Sequence, residues 1–192
     1  MMKRVVVIPI IHTAADLGSL ADSVRAHYTQ KYGAEFWRHR QQFIAARWED
    51  IRGRIASLDL DYGKVRIYQD GLPACGFELQ ILHELAGAGS PNHQLVLDLV
   101  GQGATLIGTE DPQLLIREYQ LQQRQMSAAE PDRRQSLPAP HELADLLEAR
   151  DCFIAQRIAA TLQDGEVGLL FLGAAHPLAA LRSSGIAVET LD

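Results

Sequence analysis

Lys3-Arg4-Val5-Val6-Val7-Ile8-Pro9-Ile10-Ile11 is an almost unbroken run of β-branched residues. Strict alternation would mark a strand with one wet face. A continuous apolar run marks a strand covered on both faces, as in a parallel sheet between layers of helix. The run is too short to cross a bilayer, contains Pro9 and ends in His12-Thr13 rather than in a small-residue cleavage site, so it reads as a buried first strand and not as a signal peptide. Working outward, Lys64–Tyr68, Ala104–Gly108, Val167–Leu172 and Ile186–Thr190 read as four further strands.

Helical patterns fill the intervals. Leu17–Tyr32 opens on Thr13 and Asp16 at capping-box spacing, and Gly33 stops it. Ala34–Leu58 places Phe36, Phe43, Arg47, Ile51 and Ile55 near one stripe flanked by Trp37 and Trp48, the pattern of an amphipathic helix that covers the sheet or forms an oligomer interface. Phe77–Ala86, Pro91–Val100 (with Ser90 as cap and Pro91 at its first position), Pro112–Arg124, His141–Gln163 and Pro177–Ser183 follow. Ser127–Pro140 is rich in Ser, Ala, Pro and charge and reads as a mobile linker or lid outside the core. Strands alternating with helices predict one α/β domain over residues 1–192, a mostly parallel sheet of about five strands flanked by helices.

With 192 residues the chain is comfortable for one domain and needs no disulfide or metal to hold it together. Two cysteines, Cys75 and Cys152, make neither a disulfide framework nor a zinc-finger spacing, and they read as reduced thiols of a cytoplasmic protein. The net charge of −6 argues against a nucleic-acid partner and against an anionic membrane surface. The expected partner is therefore a small-molecule or peptide substrate, together with a second copy if the protein is a homo-oligomer.

In open parallel sheets, ligands bind beyond the carboxyl ends of the strands. His12 follows the first strand, Asp70 the second, Glu110 the third and His176 the fourth, the last within Phe171-Leu172-Gly173-Ala174-Ala175-His176. Two imidazoles and two carboxylates at one edge suit either of two chemistries. They can ligate a divalent metal, with His12, Asp70, Glu110 and His176 as the set, or they can supply a general base and a general acid without metal. Each also has a structural reading: a strand-end histidine, a turn aspartate before Gly71, a solvated glutamate. Asp111, before Pro112, reads as a helix N-cap.

Arg150 lies four residues after Leu146 and four before Ile154, on the apolar stripe of its helix. A charge there must be paired. It forms either a structural ion pair or an arm aimed at a substrate anion or developing oxyanion, with Asp151 holding its guanidinium. His27, His39, His83, His93 and His141 have no matching partner spacing, and Cys75 has no adjacent base.

The late block Arg150-Asp151-Cys152-Phe153-Ile154-Ala155 leading to Gly173-Ala174-Ala175-His176, with Ile11-His12-Thr13 early and Asp70 or Glu110 between, resembles the erythromycin esterase-like, ChaN, TIKI and TraB superfamily. Pro9-Ile10-Ile11 stands where relatives often carry a Glu or Gly before the first His, and Asp70 where they carry Glu. The resemblance implies an α/β core and a hydrolase, metal-dependent with manganese, cobalt or zinc, in which His12 or His176 is base or ligand and Arg150, Asp151 and Glu110 complete the centre. The superfamily includes metal-dependent proteases, an esterase and a haem-binding protein, so a non-catalytic domain binding a metal, haem or a small anion is the alternative.

Overall fold

The computed structural model describes residues 3–11, 13, 21–127 and 139–191. Five strands form one all-parallel sheet: β1 (Arg4–Ile10), β2 (Val65–Gln69), β3 (Thr105–Ile107), β4 (Val167–Gly173) and β5 (Ala187–Thr190). Their spatial order is β3-β2-β4-β1-β5. The two longest apolar runs are neighbours at the centre, paired from Arg4 opposite Val167 to Ile10 opposite Gly173.

Helices α1 (Ala21–Tyr32), α2 (Ala34–Ala56), α3 (Glu78–Gly87) and α4 (Pro91–Gly101) belong to the crossovers that carry the chain from β1 out to β3. Helices α5 (Pro112–Ser127), α6 (Pro140–Thr161) and α7 (Ala179–Arg182) bring it back from β3 to β5. Right-handed crossovers running in opposite directions must lie on opposite faces. The core divides accordingly, because side chains alternate along a strand. Val6, Ile8, Ile67, Leu169 and Phe171 pack with Ile44, Trp48, Ile51 and Ile55 of α2 and with Leu95, Val96 and Leu99 of α4. Val5, Val7, Tyr68, Leu170 and Leu172 pack with Ile154 and Ile158 of α6 and Leu181 of α7. The chain leaves β4 toward one face and leaves both its neighbours, β2 and β1, toward the other. That reversal opens a crevice at the carboxyl end of β4.

The caps predicted for two helices form. Ser90 Oγ accepts the His93 N–H at 3.2 Å, and Asp111 Oδ1 accepts the Gln113 N–H at 2.7 Å. Both cysteines are free and exposed. No helix among the described residues is long and apolar enough to cross a membrane. Most of the Leu17–Tyr32 prediction falls on α1, but Asp16, Leu17 and the remainder up to residue 20 lie outside the described residues. So does most of Ser127–Pro140.

One prediction needs correction. The buried residues of α2 are Ile44, Trp48, Ile51 and Ile55, whereas Phe36 and Phe43 are 45% and 64% exposed. Residues 44, 48, 51 and 55 recur at the helical spacing of four, three and four, and this narrower stripe meets the sheet. Helix α2 has 23 residues, about 34 Å at the α-helical rise, and it runs antiparallel to strands that are about 23 Å long. Its N-terminal turns therefore overhang the carboxyl edge, and the core residues all come from the other half.

Candidate functional site

Asp70 is the first residue beyond β2. Its backbone N–H donates to Phe171 O at 2.9 Å and its Oδ2 accepts the Gly173 N–H at 3.0 Å, which ties the end of β2 to the end of β4. Gly71, at φ +78°, turns the chain in a conformation that favours glycine. Its N–H donates to Glu110 Oε1 at 2.7 Å. Glu110 follows β3, is fully buried and stitches that strand end to the turn: its own N–H and that of Thr109 both donate to Leu72 O at 3.0 Å. Gly108 leaves room for the crossing chain, since a Cβ there would lie 2.6 Å from Ala74 Cα and 2.9 Å from Pro73 O.

Arg150 enters from α6, 4% exposed, and fills the space between these carboxylates. Its Nε donates to Glu110 Oε2 at 2.6 Å and one terminal nitrogen to Glu110 Oε1 at 2.5 Å, a bidentate pair. The same nitrogen donates to Asp70 Oδ1 at 2.7 Å, and the other terminal nitrogen reaches Glu118 Oε1 of α5, also at 2.7 Å. Four of the five guanidinium N–H groups are thus committed. Burial opposes the charge on Arg150, but Glu110, Asp70 and Glu118 outweigh it and hold the guanidinium more firmly protonated than usual. Burial likewise dominates at Glu110 and holds its carboxyl above the ordinary range against the pull of Arg150.

Asp151 does not hold Arg150. Consecutive helical residues point about 100° apart, and Asp151 reaches instead to His176, accepting or sharing a proton between Oδ1 and Nδ1 at 2.7 Å. The other ring nitrogen of His176, Nε2, lies 3.6 Å from Asp70 Oδ2. Burial disfavours the imidazolium; the Asp151 hydrogen bond and the charge of Asp70 more than compensate, so the His176 pKa is raised above the ordinary 6.5.

These groups line one wall of a cavity of about 630 Å³ at the carboxyl edge. Asp70, Arg150 and His176 line it together with the apolar Ile10, Leu115 and Leu147 and with Glu118, Tyr119 and Gln122 of α5. His176 and Asp70 line this cavity, and Asp151 stands behind the imidazole, whose side chain is 4% exposed. In total four carboxylates (Asp70, Glu110, Glu118, Asp151) surround one guanidinium and one imidazole, and the centre is anionic whichever state His176 adopts.

Asp70, Glu110, Arg150, Asp151 and His176, the described candidates from sequence, therefore meet in one cluster; His12 lies outside the described residues. Of the two roles expected for Arg150 the ion pair is the one that forms, with four of its five N–H groups on carboxylates. One expected role changes: Asp151 orients an imidazole rather than a guanidinium. Asp70, Glu110 and His176 do not fit a divalent cation, because both oxygens of Glu110 take guanidinium N–H groups, Asp70 is shared between Arg150 and Gly173, and a cation there would sit against Arg150. Among the described residues no group of three or more His, Cys, Asp or Glu is arranged to hold a metal. Glu118 was missed. Its signal was its place between Leu115 and Leu121, an acid on the inward stripe of α5, the same signal that singles out Arg150.

No protein-family model, curated protein or solved structure significantly matches this chain.

Proposed function

We propose that the protein is a hydrolase of neutral or cationic substrates, acting by general acid–base catalysis through a His176–Asp151 dyad. The observation that carries this reading is the 2.7 Å contact between His176 Nδ1 and Asp151, beside a cavity of substrate size that His176 lines. With the proton on Nδ1 held by Asp151, Nε2 is the basic nitrogen. A water in the cavity gives its proton to Nε2 as its oxygen adds to an acyl carbon. The imidazolium so formed lies between Asp151 and Asp70, and it returns the proton to the departing alcohol or amine as the acyl–heteroatom bond breaks. Arg150 is a positioning residue: it holds Asp70 and Glu110 in place and does not meet the substrate's charge. The excess of carboxylates disfavours a substrate anion and tolerates an ammonium.

The test is turnover of three p-nitrophenyl or thiocholine-type acyl esters, one neutral, one cationic and one anionic. The neutral and cationic esters should be hydrolysed in preference to the anionic one. His176→Ala should lose about 10²–10⁴-fold in kcat while keeping the wild-type circular dichroism spectrum at the assay temperature. Retained turnover in that variant overturns the assignment.

A second reading is a binding domain without turnover. It is favoured by the commitment of four of the five Arg150 N–H groups to carboxylates, which leaves the guanidinium little to offer an oxyanion. It predicts that ligands stabilise the wild type and no ester or amide is consumed.

A further inference from the structure

A second cavity, of about 930 Å³, lies on the Asp151 side of the dyad, between α6 and α7. Ala144, Ala155 and Ala159 of α6 and Ala179 and Ala180 of α7 line it, side chains too short to fill the space between the two helices. Leu147 belongs to both cavities. His176 lines the first and Asp151 the second, so the 2.7 Å bond between them crosses the partition.

The charge in this groove is one-sided. Glu148 and Asp151, one helical turn apart, both line it, and among the described residues no Lys or Arg does. The Asp151 side chain is 8% exposed. Its Oδ1 is taken by His176, but its Oδ2 is buried and accepts no hydrogen bond among the described residues. A buried carboxylate oxygen without a donor is costly, and a ligand N–H that reached it would recover that cost. Arg150, the preceding residue, does not supply the missing charge, because it is committed to Asp70, Glu110 and Glu118. Lys3 donates to Ala159 O at 2.7 Å, eight residues further along α6 and about 12 Å away at the helical rise.

We infer that this groove is a regulatory site for a small amphiphilic amine, its ammonium seated against Asp151 beside Glu148 and its apolar body along the alanines. A cation there meets the charge of Asp151 from behind, and Asp151 then holds the imidazolium of His176 less strongly. Asp70, 3.6 Å from His176 Nε2, and Arg150 act on the same imidazole from the other cavity and stay as they are. By reciprocity the amine binds more tightly when His176 is neutral. A carboxylate ligand would be repelled, and a neutral one would leave the charge of Asp151 unmet. The inference goes beyond the proposed chemistry: it uses the His176–Asp151 contact but no turnover.

The experiment follows Cys152, exposed and part of the groove, in the full chain carrying Cys75→Ser. Benzylammonium should slow alkylation of Cys152 by N-ethylmaleimide. Benzyl alcohol, similar in shape without the charge, should need a concentration at least about threefold higher for the same protection. Glu148→Lys, at an exposed position, should abolish protection by benzylammonium. In an NMR titration the His176 imidazole should lose its proton at lower pH when benzylammonium is present, and in Glu148→Lys the probe should leave that midpoint where it is. Alkylation indifferent to benzylammonium, equal protection by the alcohol, or protection with an unmoved His176 overturns the inference. So does a His176 shift that persists in Glu148→Lys, which would put the amine in the first cavity. Neither readout uses turnover, so an absence of ester hydrolysis and a failure of this inference are separate results.

Discussion

Helices α2 and α6 have nearly the same length, 23 and 22 residues, and cover opposite faces of one sheet. Both run antiparallel to the strands and both start beyond the carboxyl edge. At that edge they differ. Helix α6 places Arg150 and Asp151 there, both buried, and each is bonded to a strand end or the loop after it. Helix α2 reaches the edge near Phe43, which is in water. One helix uses its overhang to build a centre inside the molecule; the other carries an aromatic, basic surface away from it. Helical periodicity places both sets of side chains, but what the sheet offers at its edge decides their fate: the carboxylates that follow β2 and β3 take the charge of α6.

The largest way to break this contrast is to remove the charge that α6 buries. Arg150→Met leaves Glu110 and Asp70 without their cation and should cost about 3–5 kcal/mol in urea denaturation. Adding Glu110→Gln should recover part of that loss. A cost below about 1 kcal/mol would show that the network is not the anchor described here. On the side of α2, Ile51→Ala should cost about 2–5 kcal/mol, since Ile51 is 1% exposed. Phe43→Ala, eight residues earlier on the same helix, should stay within about 0.5 kcal/mol. Equal losses at the two positions would refute the division of α2 into a core half and an overhanging half.

Gly108→Ala tests the strand end from outside both helices. Its Cβ would strike Ala74 and Pro73 backbone atoms, and a cost of about 1–3 kcal/mol is expected. A neutral result would mean that the loop after β2 yields freely and Glu110 is held less tightly than the hydrogen bonds indicate.

The smallest effect is a pH dependence. The folded-state pKa of His176 is raised, so its ionisation adds stability that is fully present below the ordinary 6.5 and is lost as pH rises through the raised value. The same ionisation removes the base, so kcat should fall as pH drops through that value. In Asp151→Asn both transitions should move to lower pH. An NMR titration of the imidazole checks the shift directly, and an unshifted His176 in that variant would detach Asp151 from its role.

Much of this was legible in the chain. The runs around Val5 and Leu169 are buried because they have no polar alternation, and the structure places them side by side at the centre of the sheet. The order of the strands was not legible, since several apolar runs satisfy the same pairing rule. At the site, strand-end position singled out Asp70, Glu110 and His176, and stripe position singled out Arg150. What failed was the partnering. Arg150 and Asp151 are adjacent in sequence, which invites pairing them, yet adjacent helical residues do not face each other. Glu118 and Arg150 come from different helices, and only the packing of α5 on α6 brings them together. Phe36 and Phe43 share a predicted stripe with Ile51 and Ile55, one that covers the sheet or forms an oligomer interface, because periodicity carries no information about where a sheet stops.

The Asp70 side chain has one further consequence. Its Oδ2 accepts the Gly173 N–H where the next backbone carbonyl of a longer β2 would have done so. The ladder between the two strands is thus extended by one rung made from a carboxylate. Exposing the Gly173 amide to solvent requires this rung to open, and the rung is itself anchored through Arg150 to α6. Hydrogen exchange at Gly173 should accordingly be as slow as in the middle of β4. The residue that shapes the pocket then belongs to the last part of the molecule to open, and the reacting groups keep their arrangement for as long as the protein stays folded.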